Sequence, residues 1–177
     1  RFGLEFVSSL FAASSCSGME LADPAELQRL LDALDPAADP CVHLAVGSEE
    51  PALTSAAVLD SSFNPPTRAH MHLLELASAS FGLQRKLLLL AKSNADKAQA
   101  GASLVQRLQM MHLLARADAI GSTTYGVTAH PLFVDKASAL QALCSPGARV
   151  FLLVGFDSRR QPPPPRRGHP LHHPCHP

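Results

Sequence analysis

The chain has 177 residues, 46% of them hydrophobic, and its 15 basic and 15 acidic side chains cancel to a formal net charge of zero. That length suggests about one domain, with ample apolar material for a core. A neutral chain with eight Phe, one Tyr and no Trp offers neither the field nor the stacking surface expected of a nucleic-acid binder.

Residues 4–13 are expected to form an amphipathic helix. Phe6 to Ala13 could pass for a weak signal-peptide core, but Glu5 lies beside it and no long apolar run follows. No segment approaches the ~20 apolar residues of a membrane span, so no membrane partner is expected. Cys16, Cys41, Cys144 and Cys175 form no C-x-x-C pair. A reducing compartment, cytoplasmic or nuclear, is therefore the default.

Asp23-Pro24-Ala25-Glu26 reads as a helix start, with Asp as N-cap and Pro at the first helical position. The helix is expected to run to about Leu34 with Leu27, Leu30, Leu31 and Leu34 on one face, ended by Pro36 and Pro40. Val42 to Val46 is a short strand candidate, and residues 47–54 read as a polar loop. The apolar run Ala56 to Leu59 is a strand. It leads through small residues and Pro65-Pro66 into a helix from Arg68 to about Leu83, where Ala69, Leu73, Leu76, Ala77 and Phe81 recur near helical spacing. Thr67 is the expected N-cap, which places His70 in the first helical turn. Unpaired N–H groups and the helix dipole there favour an anion, so this junction reads as a phosphate site.

Lys86 to Ala91 is a continuous apolar run suited to a strand buried on both faces. A polar loop, residues 92–98, follows. Ser103-Leu104-Val105-Gln106 is a capping box opening a helix to about Ala115. Residues 125–129 form a modest strand candidate, and His130 reads as a loop histidine. A helix is expected from about Asp135 to Leu143, then a strand from Arg149 to Val154 ending at Gly155-Phe156-Asp157. This alternation predicts an α/β fold, an open parallel sheet with helices on both faces. Ligands then bind beyond the carboxyl ends of the strands. The predicted domain spans residues 1–160, with the N-terminal helices of residues 1–40 packed on it. From Gln161 the tail holds seven of the fifteen prolines and four of the nine histidines, and it reads as disordered. Its His and Cys spacing matches no zinc site, so no resident metal is expected.

The stretch Ser61-Ser62-Phe63-Asn64-Pro65-Pro66-Thr67-Arg68-Ala69-His70 resembles the first signature of the nucleotidyltransferase superfamily, G-x-F-x-P-x-H/T-x-x-H. The fuller run from Val58 is similar to a fungal branch related to nicotinamide mononucleotide (NMN) adenylyltransferases. The resemblance implies a Rossmann-like nucleotidyltransferase fold and transfer of AMP from ATP, arriving with Mg²⁺, to NMN. It assigns His70 to the ATP phosphates and Ser61, Ser62, Phe63 and Thr67 to nucleotide binding. Lys97 matches a lysine facing the substrates, with Lys92 second. Arg107 matches an arginine able to reach the mononucleotide phosphate, or is simply a helix-surface residue. Gly155 and Asp157 match a G-x-D element at the ATP site. The resemblance covers roughly residues 56–158. Relatives continue with a closing I-S-S-T-x-x-R segment that nothing here matches, so a C-terminally truncated domain and poor turnover are expected. Other readings are a nucleotidyltransferase using CTP or phosphopantetheine, or a non-catalytic nucleotide-binding remnant.

Overall fold

The computed structural model describes residues 20–45, 53–95, 101–118 and 123–154. The expected helix at residues 4–13, the proline tail, Lys97, Gly155 and Asp157 lie outside these residues. In chain order the elements are α1 (Pro24–Asp32), β1 (His43–Leu44), β2 (Leu53–Asp60), α2 (Arg68–Phe81), β3 (Arg85–Ala91), α3 (Lys92–Ala95), α4 (Leu104–Arg116), β4 (Thr123–Thr128), α5 (Phe133–Ala142) and β5 (Cys144–Leu153).

The strands form one five-stranded sheet in the order β1-β4-β3-β2-β5. β2 pairs in parallel with both β3 and β5, and β3 pairs in parallel with β4. Edge strand β1 runs antiparallel to β4, so the sheet is mostly rather than wholly parallel. A connection between neighbours running the same way needs a crossover, whereas β1 lies at the far edge and its chain passes on to β2 in the middle of the sheet. From β2 the order steps through β3 to β4 on one side and to β5 on the other. The order therefore reverses at β2, and the loop after it is placed where such sheets bind ligands.

Side chains alternate between the two faces of the central strands. Ala57, Leu59, Leu88 and Leu90 pack with Leu27 and Leu31 of α1, Leu74 of α2, and Leu108 and Met111 of α4. Ala56, Val58, Leu87 and Leu89 pack with Ala139 and Leu140 of α5. Leu87 to Leu90 are all fully buried, which is why β3 reads as a continuous apolar run without alternation. At the amino end of β3 the buried Lys86 pairs with Asp118 at 3.0 Å.

Helix starts follow their caps. Asp23 accepts from the Ala25 N–H at 2.9 Å with Pro24 behind it, and Ser103 and Gln106 exchange a reciprocal capping box at 3.2 and 2.9 Å. α1 stops at Asp32, short of the expected Leu34, although Leu34 stays buried. α2 ends at Phe81 because Gly82 takes the left-handed conformation (φ 63°). Its buried face keeps only Ala77 of the expected stripe. Met71, Leu74 and Ala77 pack inward, while Leu73, Leu76 and Phe81 are about half exposed. Helical spacing fits either stripe, and it is Met71, Leu74 and Ala77 that meet the sheet. Lys92 to Ala95, expected as loop, form the one-turn helix α3. β2 begins at Leu53, inside the expected polar loop, and β5 begins at Cys144, five residues before the expected start.

Candidate active site

β2 ends at Asp60, and residues 61–67 connect it to α2. The Ser61 N–H donates to the Leu89 carbonyl at 3.2 Å, tying the first loop residue to β3. Phe63 then turns back into the protein. It is fully buried and adopts φ 44°, a left-handed conformation unfavourable for a side chain of this size. Asn64 extends to the segment before α4, where its Oδ1 accepts from the Ala102 N–H at 3.1 Å. Gly101 adopts φ 146°, a conformation that favours glycine, and a Cβ there would displace the Asn64 amide.

Arg107, on α4, is 3% exposed. Its Nε donates to the Ala102 carbonyl at 2.8 Å, and its Nη1 reaches the Ser62 carbonyl at 3.4 Å. Of the two alternatives for this residue, the helix-surface one does not hold. Among the described residues no carboxylate is paired with it, and the buried guanidinium is held beneath the loop by these two carbonyls.

His70 closes the loop from the helix side. The Thr67 N–H donates to its Nδ1 at 2.9 Å, and the Thr67 hydroxyl lies 2.8 Å from the same nitrogen. His70 thus fills the role that Glu or Gln plays in an ordinary capping box. Because a backbone N–H can only donate, Nδ1 is an acceptor and the ring proton resides on Nε2. Nε2 faces Ser61 Oγ at 3.3 Å, and the ring packs on Phe63 at a centroid distance of 5.1 Å. Burial lowers the His70 pKa below the ordinary imidazole value. The site therefore holds a neutral imidazole with a fixed N–H donor at the amino end of a helix. Such a group can hydrogen-bond an anionic oxygen.

The other expected residues are placed as follows. Ser62 and Thr67 are exposed on the loop. Lys92, directly after β3, donates to the Leu31 carbonyl at 2.8 Å and lines a cavity of about 320 Å³ with Gln28, Asp32 and Ser103. The structure thus brings together Ser61, Ser62, Phe63, Thr67, His70 and Arg107, with Lys92 at the end of the neighbouring strand. Among the described residues no group of three or more His, Cys, Asp or Glu could hold a metal ion, and no helix is long and apolar enough to cross a membrane. A larger cavity of about 500 Å³ lies between α5 and β5 and touches no residue of the loop.

Two features at this sheet edge escaped the sequence analysis. Lys136 of α5 is fully buried and pairs with Asp60. The signal was present: Lys136 stands three and four residues before Ala139 and Leu140, on the inward stripe of α5. The second is His130, after β4. It is 5% exposed, and its Nε2 has no hydrogen-bond partner among the described residues.

Comparison with known proteins agrees with this geometry. A profile described as cytidylyltransferase-like matches residues 58–158, from the second half of β2 to beyond β5. A Schizosaccharomyces pombe protein named "Putative nicotinamide mononucleotide adenylyltransferase" is 39% identical over 102 residues, covering 57% of this chain and 39% of that protein. A Cereibacter sphaeroides protein named "Probable nicotinate-nucleotide adenylyltransferase" is 30% identical over 104 residues, covering 59% of this chain and 55% of that protein. The match thus spans between two-fifths and just over half the length of these curated relatives. The profile takes in the end of the switch-point strand, the loop and both neighbouring strands, and on that ground the chain belongs to the cytidylyltransferase-like family of the nucleotidyltransferase superfamily.

Proposed function

We propose that this chain carries the nucleotide-binding part of an adenylyltransferase that moves AMP from ATP to nicotinamide mononucleotide, giving NAD and pyrophosphate. The observation that carries the reading is the loop from Ser61 to His70, with its neutral histidine pinned by Thr67 at the point where strand order reverses. Adenylyl transfer demands little covalent work from a protein. It needs the acceptor phosphate, the α-phosphorus and the leaving pyrophosphate held in line, and donors placed where charge develops. The Nε2–H of His70, which faces Ser61 Oγ, is such a donor. Arg107 sets the Ser62 carbonyl and adds positive potential beneath the loop. Lys92 is the candidate for the acceptor's phosphate, and Lys97 is carried over from the resemblance as a lysine facing the substrates. Mg²⁺ enters with ATP as part of the substrate.

The names of the two relatives favour a pyridine mononucleotide as acceptor, in the nicotinamide or nicotinic acid form. The family description favours a second reading, cytidylyl transfer from CTP. Pyrophosphate release from ATP and from CTP, each with NMN, nicotinic acid mononucleotide and phosphopantetheine, separates them. Release from ATP with either pyridine mononucleotide is expected. Preference for CTP or for phosphopantetheine would overturn the proposal.

A further inference from the structure

Asp60 is the last residue of β2, immediately before the loop, and its carboxylate is met by Lys136 from α5. The Lys136 side chain is fully buried and that of Asp60 is 11% exposed. This pair sits on the α5 face of the sheet, whereas the bonds from His70 to Ser61 and from Arg107 to Ser62 approach from the α2 and α4 face. The loop is therefore clamped from both sides of the sheet, and the α5 clamp is ionic.

A carboxylate at the root of a phosphate-binding loop is a liability. Half-buried like charges a few ångströms apart repel far more than they do in water. We propose that Lys136 is a positioning residue for the polyphosphate. It cancels the Asp60 charge and fixes the end of β2, so that the loop offers its donors to phosphate without a competing anion. This inference rests on the reading of the loop as an ATP site.

The proposal makes nucleotide charge the diagnostic variable. The experiment measures dissociation constants of AMP, ADP and ATP for the wild type, Lys136→Met, Asp60→Asn and the double variant, with circular dichroism as the check on folding. Lys136→Met should weaken ATP by about tenfold, the order expected of one uncompensated charge in a protein site, ADP by less and AMP least. Asp60→Asn leaves the cation unopposed and should shift the series the opposite way, with ATP gaining most. This second variant keeps the test decisive if Lys136→Met does not fold. The double variant should return to within about threefold of the wild type, since removing both members of a buried pair is commonly neutral. Equal losses for the three nucleotides would mean a merely structural tie and overturn the inference alone. A folded wild type that binds none of them would overturn the reading of the loop, and this inference with it.

Discussion

The backbone N–H of Thr67 points at Nδ1 of His70 across 2.9 Å, which fixes the ring proton on Nε2, opposite Ser61. One contact thus caps α2 and sets the tautomer of His70. Protonating Nδ1 would turn its proton against the Thr67 N–H and break the cap.

Burial of His70 gives the fold a pH dependence. The folded-state pKa of His70 lies below the ordinary value of 6.5, so the unfolded chain takes up this proton first. The stabilisation is then complete above 6.5 and is lost as pH falls through the folded value. Gln can serve the same cap without titrating. Urea midpoints of the wild type should drop relative to His70→Gln as pH is lowered from neutral into the acidic range. Parallel pH profiles for the two proteins would show that His70 titrates normally.

Phe63 offers a test of backbone strain. Removing its fully buried ring as Phe63→Ala should cost about 3–5 kcal/mol. Because φ is 44°, glycine should be tolerated at least as well as alanine despite its greater chain entropy. Urea unfolding of both variants measures the order. A Gly variant clearly less stable than the Ala variant would mean that this residue does not hold a left-handed conformation.

Arg107 should act on the loop more than on the core. Arg107→Met keeps the apolar stem but frees the Ala102 and Ser62 carbonyls, for an expected loss of about 1–3 kcal/mol. Lysine cannot reproduce the fork and should not restore it. Thermal and urea unfolding, with amide exchange of residues 62–64, provide the readout. Unchanged stability and exchange in Arg107→Met would remove the residue from the loop's support.

Much of this was legible in the sequence because the signals were local. Asp23 and Ser103 started their helices by cap chemistry, and Leu87 to Leu90 announced a strand buried on both faces. The position of the loop followed from strand and helix alternation, and the identity of its residues from the resemblance. What stayed hidden depended on contacts distant in sequence. The inward face of α2 was misjudged because Leu73 and Leu76 keep helical spacing as well as Met71 and Leu74 do. The edge strand was expected within Val42 to Val46, but its antiparallel pairing with β4 joins residues more than eighty positions apart and leaves no local sign. Lys136 meets Asp60 across 76 positions of sequence, and no local pattern reports its partner.

The central claim is that the loop from Ser61 to His70 is an ATP site in which His70 touches phosphate. Isothermal titration of ATP into the wild type and into a folded His70→Ala variant tests it most directly. The wild type should bind, and the variant should bind about 10–100-fold more weakly, the loss expected when a hydrogen bond to a charged group is removed. No binding by the wild type, or equal affinity in the two proteins, would contradict the account.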